Sequence, residues 1–151
     1  MKASATVRAA LSIGLALAST LSLASDELPW AFNSKRAEGY TIDLVSVTPE
    51  PGTPLIVGSQ VEFKVTVKYV NAVKPKAEVI LVFQTDKGQA KPEGEKQVTR
   101  EVTEKSGELT LEDKITIPKK AKQLYLFVPL RPDGLEVTDG EVVIRYPIRK
   151  N

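Results

Sequence analysis

The chain has 151 residues, of which 21 are Lys or Arg and 19 are Asp or Glu, and it contains no cysteine and no histidine. Without these two residue types there are no disulfide bonds, no thiol chemistry, none of the usual zinc or copper ligands and no His-dependent hydrolysis. Once Lys2 and Arg8 are set aside with the leader described below, 19 basic and 19 acidic residues remain. This balance argues against nucleic acid as a partner.

Residues 1–24 have the layout of a secretory signal peptide. Lys2 and Arg8 precede a weakly apolar run over residues 9–23, beside the small residues Ser22 and Ala24. The run is too short and too rich in serine and threonine for a spanning helix, which needs about 20 apolar residues. We therefore expect cleavage after Ala24, no membrane insertion after cleavage, and a periplasmic or extracellular location.

Residues 25–39 form a predicted N-terminal arm that carries two large aromatic residues. Trp30 and Phe32 stand close together, with charged residues around them. A solvated linker seldom carries such a pair, because aromatic side chains contribute mainly through burial. Two interpretations stay open: the arm packs on the domain that follows, or it docks on another protein.

Residues 40–151 predict one domain built from antiparallel strands. Residues 58–70 alternate apolar with polar side chains, which is the period of a half-buried strand. Similar short runs recur between turns rich in Pro, Gly, Asn and Asp, which predicts a sandwich or a barrel. The seven predicted strands cover residues 40–47, 60–70, 77–85, 96–102, 108–117, 123–130 and 141–148.

The third and sixth predicted strands are apolar on both parities, so they have a second face to cover. The third, sixth and seventh strands of immunoglobulin-type sandwiches share one sheet. In that arrangement an apolar strip lies on the outer face of the sheet, where it is covered by the arm, by a second copy of the protein or by another protein. The candidate interface residues are Ile80, Val82, Tyr125, Phe127, Val143, Trp30 and Phe32.

Two other functions stay open as alternatives. Four carboxylates, Asp133, Glu136, Asp139 and Glu141, lie between the last two predicted strands and are the candidates for a small envelope enzyme of the glycosidase kind. The same acids do not have the spacing of a calcium-binding loop. A carbohydrate-binding module that uses aromatics on a sheet face is the second alternative. We expect no cofactor and no metal.

Two passages resemble bacterial immunoglobulin-like domains, in particular the cell-adhesion-related domain found in bacteria. In "LIVGSQVEFKVTVKYVNA" the pattern is matched at Gly58, Gln60 and the alternating apolar positions as far as Asn71, although Ala72 and Val73 replace the expected glycine. The passage "LEDKITIPKKAKQLYLFV" is similar to the fifth strand, proline turn and sixth strand of the same domains. The resemblance implies a seven-stranded antiparallel immunoglobulin-like β-sandwich without catalytic residues. We therefore expect an exported, non-catalytic protein-interaction or structural module of the periplasm or cell envelope, with a protein partner or self-association.

Overall fold

The computed structural model describes residues 28–90, 97–134 and 140–151, and within those residues all regular secondary structure is β-strand. No helix in these ranges is long and apolar enough to cross a membrane. The strands are β1 (Ala31–Lys35), β2 (Tyr40–Thr48), β3 (Leu55–Ile56), β4 (Gln60–Asn71), β5 (Ala77–Thr85), β6 (Gly88–Gln89), β7 (Val98–Val102), β8 (Ser106–Thr116), β9 (Gln123–Pro132) and β10 (Gly140–Arg149).

The seven predicted strands correspond to β2, β4, β5, β7, β8, β9 and β10, and each end agrees to within two residues. The short strands β1, β3 and β6 are additional. Strand β1 lies within the predicted arm, and it pairs antiparallel with β10. The two-sheet, all-β architecture expected from the sequence is therefore confirmed.

Two sheets face each other. The larger has the order β1-β10-β9-β5-β6, with β3 also pairing with β10 and β7 also pairing with β5; the smaller has the order β2-β4-β8. All pairs are antiparallel except β3 with β10. The third, sixth and seventh predicted strands, which are β5, β9 and β10, are neighbours in the larger sheet as expected. The fourth, β7, also joins this sheet, whereas the constant-type immunoglobulin arrangement places it with the first, second and fifth.

The core lies between the two sheets and is centred on Phe63 of β4. Its ring centroid is 5.4 Å from that of Phe83 on β5 and 5.4 Å from that of Tyr146 on β10, so one side chain joins both sheets. The buried Tyr146 hydroxyl donates a hydrogen bond of 2.7 Å to the carbonyl of Pro49. Because the chain has no cysteine, this packing replaces the disulfide bond that joins the two sheets of antibody domains.

The outer face of the smaller sheet is mainly polar, although it also exposes Val45 on β2 and Val70 on β4. Lys64 on β4 pairs with Glu112 on β8 at 2.9 Å, and the hydroxyls of Thr66 and Thr110 are 2.8 Å apart. Lys68 lies between Asp43 on β2 and Glu108 on β8 in the strand register. This face satisfies its polar groups within the sheet, which confirms that β4 turns one side to the core and the other to water.

Candidate interaction surface on the larger sheet

The outer face of the larger sheet carries a straight row of four apolar side chains on four neighbouring strands. The register pairs Phe32 of β1 with Val143 of β10, Val143 with Phe127 of β9, and Phe127 with Val82 of β5. Directly paired residues lie on the same face of a sheet. The chain neighbours of Val82, Phe127 and Val143 belong to the core, so these three residues point outward. Phe32 shares their face because it pairs with Val143, while the next residue, Asn33, pairs with the core residue Val142. We refer to the four residues as the outer row.

Two further residues widen the outer row along the strands. The Tyr125 ring lies 6.2 Å from the Phe127 ring between centroids, and its hydroxyl donates a hydrogen bond of 2.6 Å to Gln123 Oε1. Ile80 lies two residues before Val82 on β5 and is 8 % exposed. The outer row, Tyr125 and Ile80 together form what we call the outer patch. Val143 and Ile80 are 4 % and 8 % exposed and the other four members are partly buried, so the patch is a continuous apolar surface of low exposure.

The described part of the predicted arm lies beside the sheet rather than over its outer face. Strand β1 extends the sheet at its edge, and the backbone N–H of Arg145 donates a hydrogen bond of 2.7 Å to the Trp30 carbonyl. Phe32 therefore joins the outer row as its terminal member. Phe32 covers part of Val143, its direct neighbour on β10. It does not cover Phe127, because β10 lies between β1 and β9.

Trp30, the other predicted arm residue, lies at the edge of the outer patch and is 41 % exposed. The Arg145 guanidinium is 5.2 Å from its ring centroid, a cation–π distance. The ring also lies close to Gly52: a Cβ atom added at Gly52 would be 2.8 Å from Trp30 Cγ. These two contacts fix the indole on the rim of the larger sheet.

Opposite charges lie at the two ends of the outer patch on β10. Glu141, Val143 and Arg145 occupy successive outward positions, in the order acid, apolar residue, base. Glu141 Oε1 accepts a hydrogen bond of 2.6 Å from Ser34 Oγ, and Arg145 Nη1 donates one of 2.5 Å to the Leu28 carbonyl. Arg145 was not among the residues predicted for this surface, although it lies two positions after Val143 and therefore on the same face of β10.

A small polar cavity of about 230 Å³ lies further along β5 and β9, beyond the outer patch. Its walls include two ion pairs, Arg131 with Glu78 and Lys76 with Glu101. The hydrogen bond to Glu101 raises the pKa of Lys76 above its ordinary value. Asp133 is a third acidic residue in the lining, beside the two ion pairs, and these charges mark the polar boundary of the outer patch.

Two of the four predicted carboxylate candidates lie within the described residues. Asp133 lies exposed in the turn after β9, and Glu141 lies on β10; Glu136 and Asp139 lie outside the described residues. The described ranges contain no group of three or more Asp, Glu, His or Cys side chains that could hold a metal ion. With Glu136 and Asp139 outside the described residues, the loop-carboxylate alternative stays a prediction.

No family model and no curated protein matches the chain. Among solved structures, the chain is similar to the crystal structure of a CARDB (cell-adhesion-related) domain from Pyrococcus furiosus, which was determined in complex with di-metal ions. The identity is 12 %, the TM-score is 0.42, and the alignment covers 81 % of this chain and 96 % of that one. This similarity concerns the fold alone.

The strand pairing defines the class of this protein. The second predicted strand pairs with the fifth, the third with the sixth, and the sixth with the seventh, as in immunoglobulin domains. The protein is an all-β, immunoglobulin-like sandwich. The resemblance to cell-adhesion-related domains noted in the sequence is supported at this coarse level, as a distant immunoglobulin-like fold.

Proposed function

We propose that this chain is an exported, non-catalytic interaction module of the periplasm or cell envelope, and that it binds a protein through the outer patch. The observation that carries the proposal is the outer row, in which Phe32, Val143, Phe127 and Val82 form an unbroken apolar line over four strands. Isolated surface hydrophobics need no explanation, whereas a contiguous patch rimmed by polar groups is typical of interaction sites.

The size of the outer patch suits the centre of an interface. Four strands spaced about 4.8 Å apart make the row about 14 Å wide, and residues two positions either side of it add a similar length along the strands. These dimensions enclose about 200 Å² in projection, which includes the polar positions Gln84, Glu141 and Arg145 beside the apolar row, whereas a standard interface buries about 800 Å² on each partner. The charged and polar residues around it would supply the rim, as in typical interfaces with an apolar centre.

Other surfaces of the sandwich are less suited to a protein partner. The smaller sheet exposes Val45 and Val70, but its centre holds cross-strand pairs such as Lys64 with Glu112, which a partner would have to displace, whereas the centre of the outer patch is apolar. Strand β8, at the edge of that sheet, directs Asp113 toward the core side opposite Phe63, and an inward-pointing charge is a known protection of edge strands against pairing. These contrasts favour the outer patch.

Site-specific photo-cross-linking in expressing cells tests the proposal. A benzophenone amino acid replaces Phe127 in one strain and the exposed Lys64, on the opposite face of the sandwich, in a control strain. We expect a protein adduct after irradiation from position 127 and none from position 64. No adduct from position 127, in a strain that accumulates the folded protein, would contradict the proposal, and so would the same adduct from both positions.

The export part of the proposal has its own measurement. The protein is recovered from the periplasmic fraction and from the medium, and its N-terminal sequence is determined. We expect the mature chain to begin at Ser25, because Ala24 ends the predicted leader. Recovery of the protein only from the cytoplasm with Met1 in place would contradict export.

A further inference from the structure

We infer that the outer patch binds a second copy of the same chain, across a two-fold axis that runs parallel to the outer row. This inference rests on the proposed function and specifies its partner. A symmetric contact of this kind uses one patch twice, so each residue must suit the residue that the axis places opposite it. The outward residues of β10 meet that requirement through their charges.

A rotation of 180° about an axis parallel to the outer row places each strand of one copy opposite the same strand of the other copy. The two facing strands run in opposite directions. Phe127 then faces Phe127, and Val143 faces Val143. On β10 the residues two positions from the row exchange places, so Glu141 of each copy faces Arg145 of the other. On β9, Tyr125 faces Pro129. The two-fold axis thus forms two acid–base pairs at opposite ends of an apolar centre.

The other in-plane axis, parallel to β9, gives a poorer match. It would place β10 of one copy over β5 of the other. Arg145 would then face Gln84, and Glu141 would face Ile80, because β5 and β10 run in the same direction on either side of β9. A carboxylate over an apolar side chain loses water without gaining a partner. The charges therefore select the axis along the row.

Sheet packing preserves the two charge pairs. Facing sheets rotate by about 30° relative to each other, which displaces groups about 7 Å from the axis by about 3.5 Å. The Arg145 guanidinium has further N–H donors besides the one that it gives to the Leu28 carbonyl, and these can reach a carboxylate displaced by that distance. Since the apolar centre is smaller than a standard interface, we expect a reversible dimer with a dissociation constant in the micromolar range, which is about the level of weak, transient complexes.

A charge exchange tests the inference. Sedimentation equilibrium of the chain purified from expressing cells compares the wild type with Glu141→Arg, with Arg145→Glu and with the double exchange. Each single variant places like charges opposite each other twice, and we expect it to weaken the dimer about tenfold or more. The double exchange restores opposite charges across the axis, and we expect it to return the dissociation constant to within about threefold of the wild type.

Matched controls separate association from folding. The exchange of Lys64 with Glu112 reverses a charge pair on the smaller sheet, and we expect it to leave the dimer unchanged. Far-UV circular dichroism verifies that every variant is folded. Arg145→Glu also removes the contact with Trp30, but the double exchange lacks that contact too, so recovery of the dimer in the double variant reports only on the facing charges.

An orientation test is available because the chain has no cysteine of its own. In Val82→Cys each copy gains one thiol, and a two-fold axis along the outer row places the two thiols on the same side of the dimer. A short bis-maleimide should therefore link Val82→Cys chains into covalent dimers and should not link Lys64→Cys chains. An axis parallel to β9 would place Val82 opposite Val143 and leave the thiols of the two copies far apart.

A wild-type chain that remains monomeric at several hundred micromolar overturns the inference, and so does a double exchange as weakened as the single variants. The proposed function can survive that outcome. If photo-cross-linking from position 127 then yields an adduct with a different protein, the outer patch is an interface for another chain. If it yields no adduct, both the inference and the proposed function fail.

Discussion

Replacement of Tyr146 by phenylalanine should lower stability at neutral pH and raise it relative to the wild type at alkaline pH. The Tyr146 ring is fully buried, packs edge-on against Phe63, and donates its hydroxyl to the Pro49 carbonyl at 2.7 Å. Phenylalanine keeps the ring and removes only this hydrogen bond. The expected loss at pH 7 is about 1 kcal/mol of unfolding free energy.

The pH dependence follows from burial, which raises the pKa of Tyr146 well above the ordinary value of a tyrosine. Below pH 10 the side chain is neutral in both the folded and the unfolded chain, and its contribution is complete. Above pH 10 the unfolded chain releases the phenolic proton while the folded chain retains it, so stability falls as pH rises. At pH 11 this linkage removes about 1.4 kcal/mol, because the pH is one unit above the unfolded pKa of about 10.

The assay is urea denaturation of both proteins by far-UV circular dichroism at a series of pH values from 7 to 11. The wild type should be the more stable protein up to pH 10, and the two curves should meet or cross by pH 11. Lysines such as Lys64, whose pKa is raised by its hydrogen bond to Glu112, affect both proteins equally and cancel in the difference. A constant difference from pH 7 to 11 would show that Tyr146 ionises as easily in the folded chain as in the unfolded one.

Two more predictions concern single loops. Asp86 accepts hydrogen bonds from the backbone N–H groups of Lys122 and Gln123, and these bonds lower its pKa. Asp86→Asn should therefore reduce the melting temperature at pH 7, and the difference from the wild type should vanish as pH falls through the lowered pKa of Asp86. Equal melting temperatures at pH 7 would refute this prediction. Gly52→Ala and Gly134→Ala should each lower the free energy of unfolding by about 1–3 kcal/mol, because both glycines have positive φ. Only Gly52→Ala should also shift the fluorescence of Trp30, since Gly52 lies against that ring and Gly134 does not. An unchanged Trp30 spectrum in Gly52→Ala would contradict the packing argument.

The strands that form the sandwich were predictable because each carries its own signal. The alternation in β4 fixed which side faces the core, and the double apolar character of β5 and β9 showed that both lie in the middle of a sheet. Turn residues bounded every one of them. These are local properties, because any fold that buries one face of a strand requires apolar and polar residues to alternate along it.

The register and the short strands were not predictable, because they depend on residues distant in the sequence. Strand β1 has five residues and no periodicity of its own, and it exists because β10 offers it a free edge. Parity placed Val82, Phe127 and Val143 on one face, but only the pairing of β5, β9 and β10 shows that they form a line. The acid–base order on β10 acquires meaning only from that line.

The two outer faces of the sandwich place different demands on a binding partner. On the smaller sheet, charges such as Lys64 and Glu112 compensate each other inside the chain, so association there would break existing pairs. On the larger sheet, the centre is apolar and the charges stand at its margin, where the contact that best uses Glu141 is an arginine placed as Arg145 is. Two kinds of substitution therefore differ in their reach: shortening Phe127 should weaken every contact with the face, whereas reversing the charge of Glu141 or Arg145 alone should weaken the contact in which these two residues face each other.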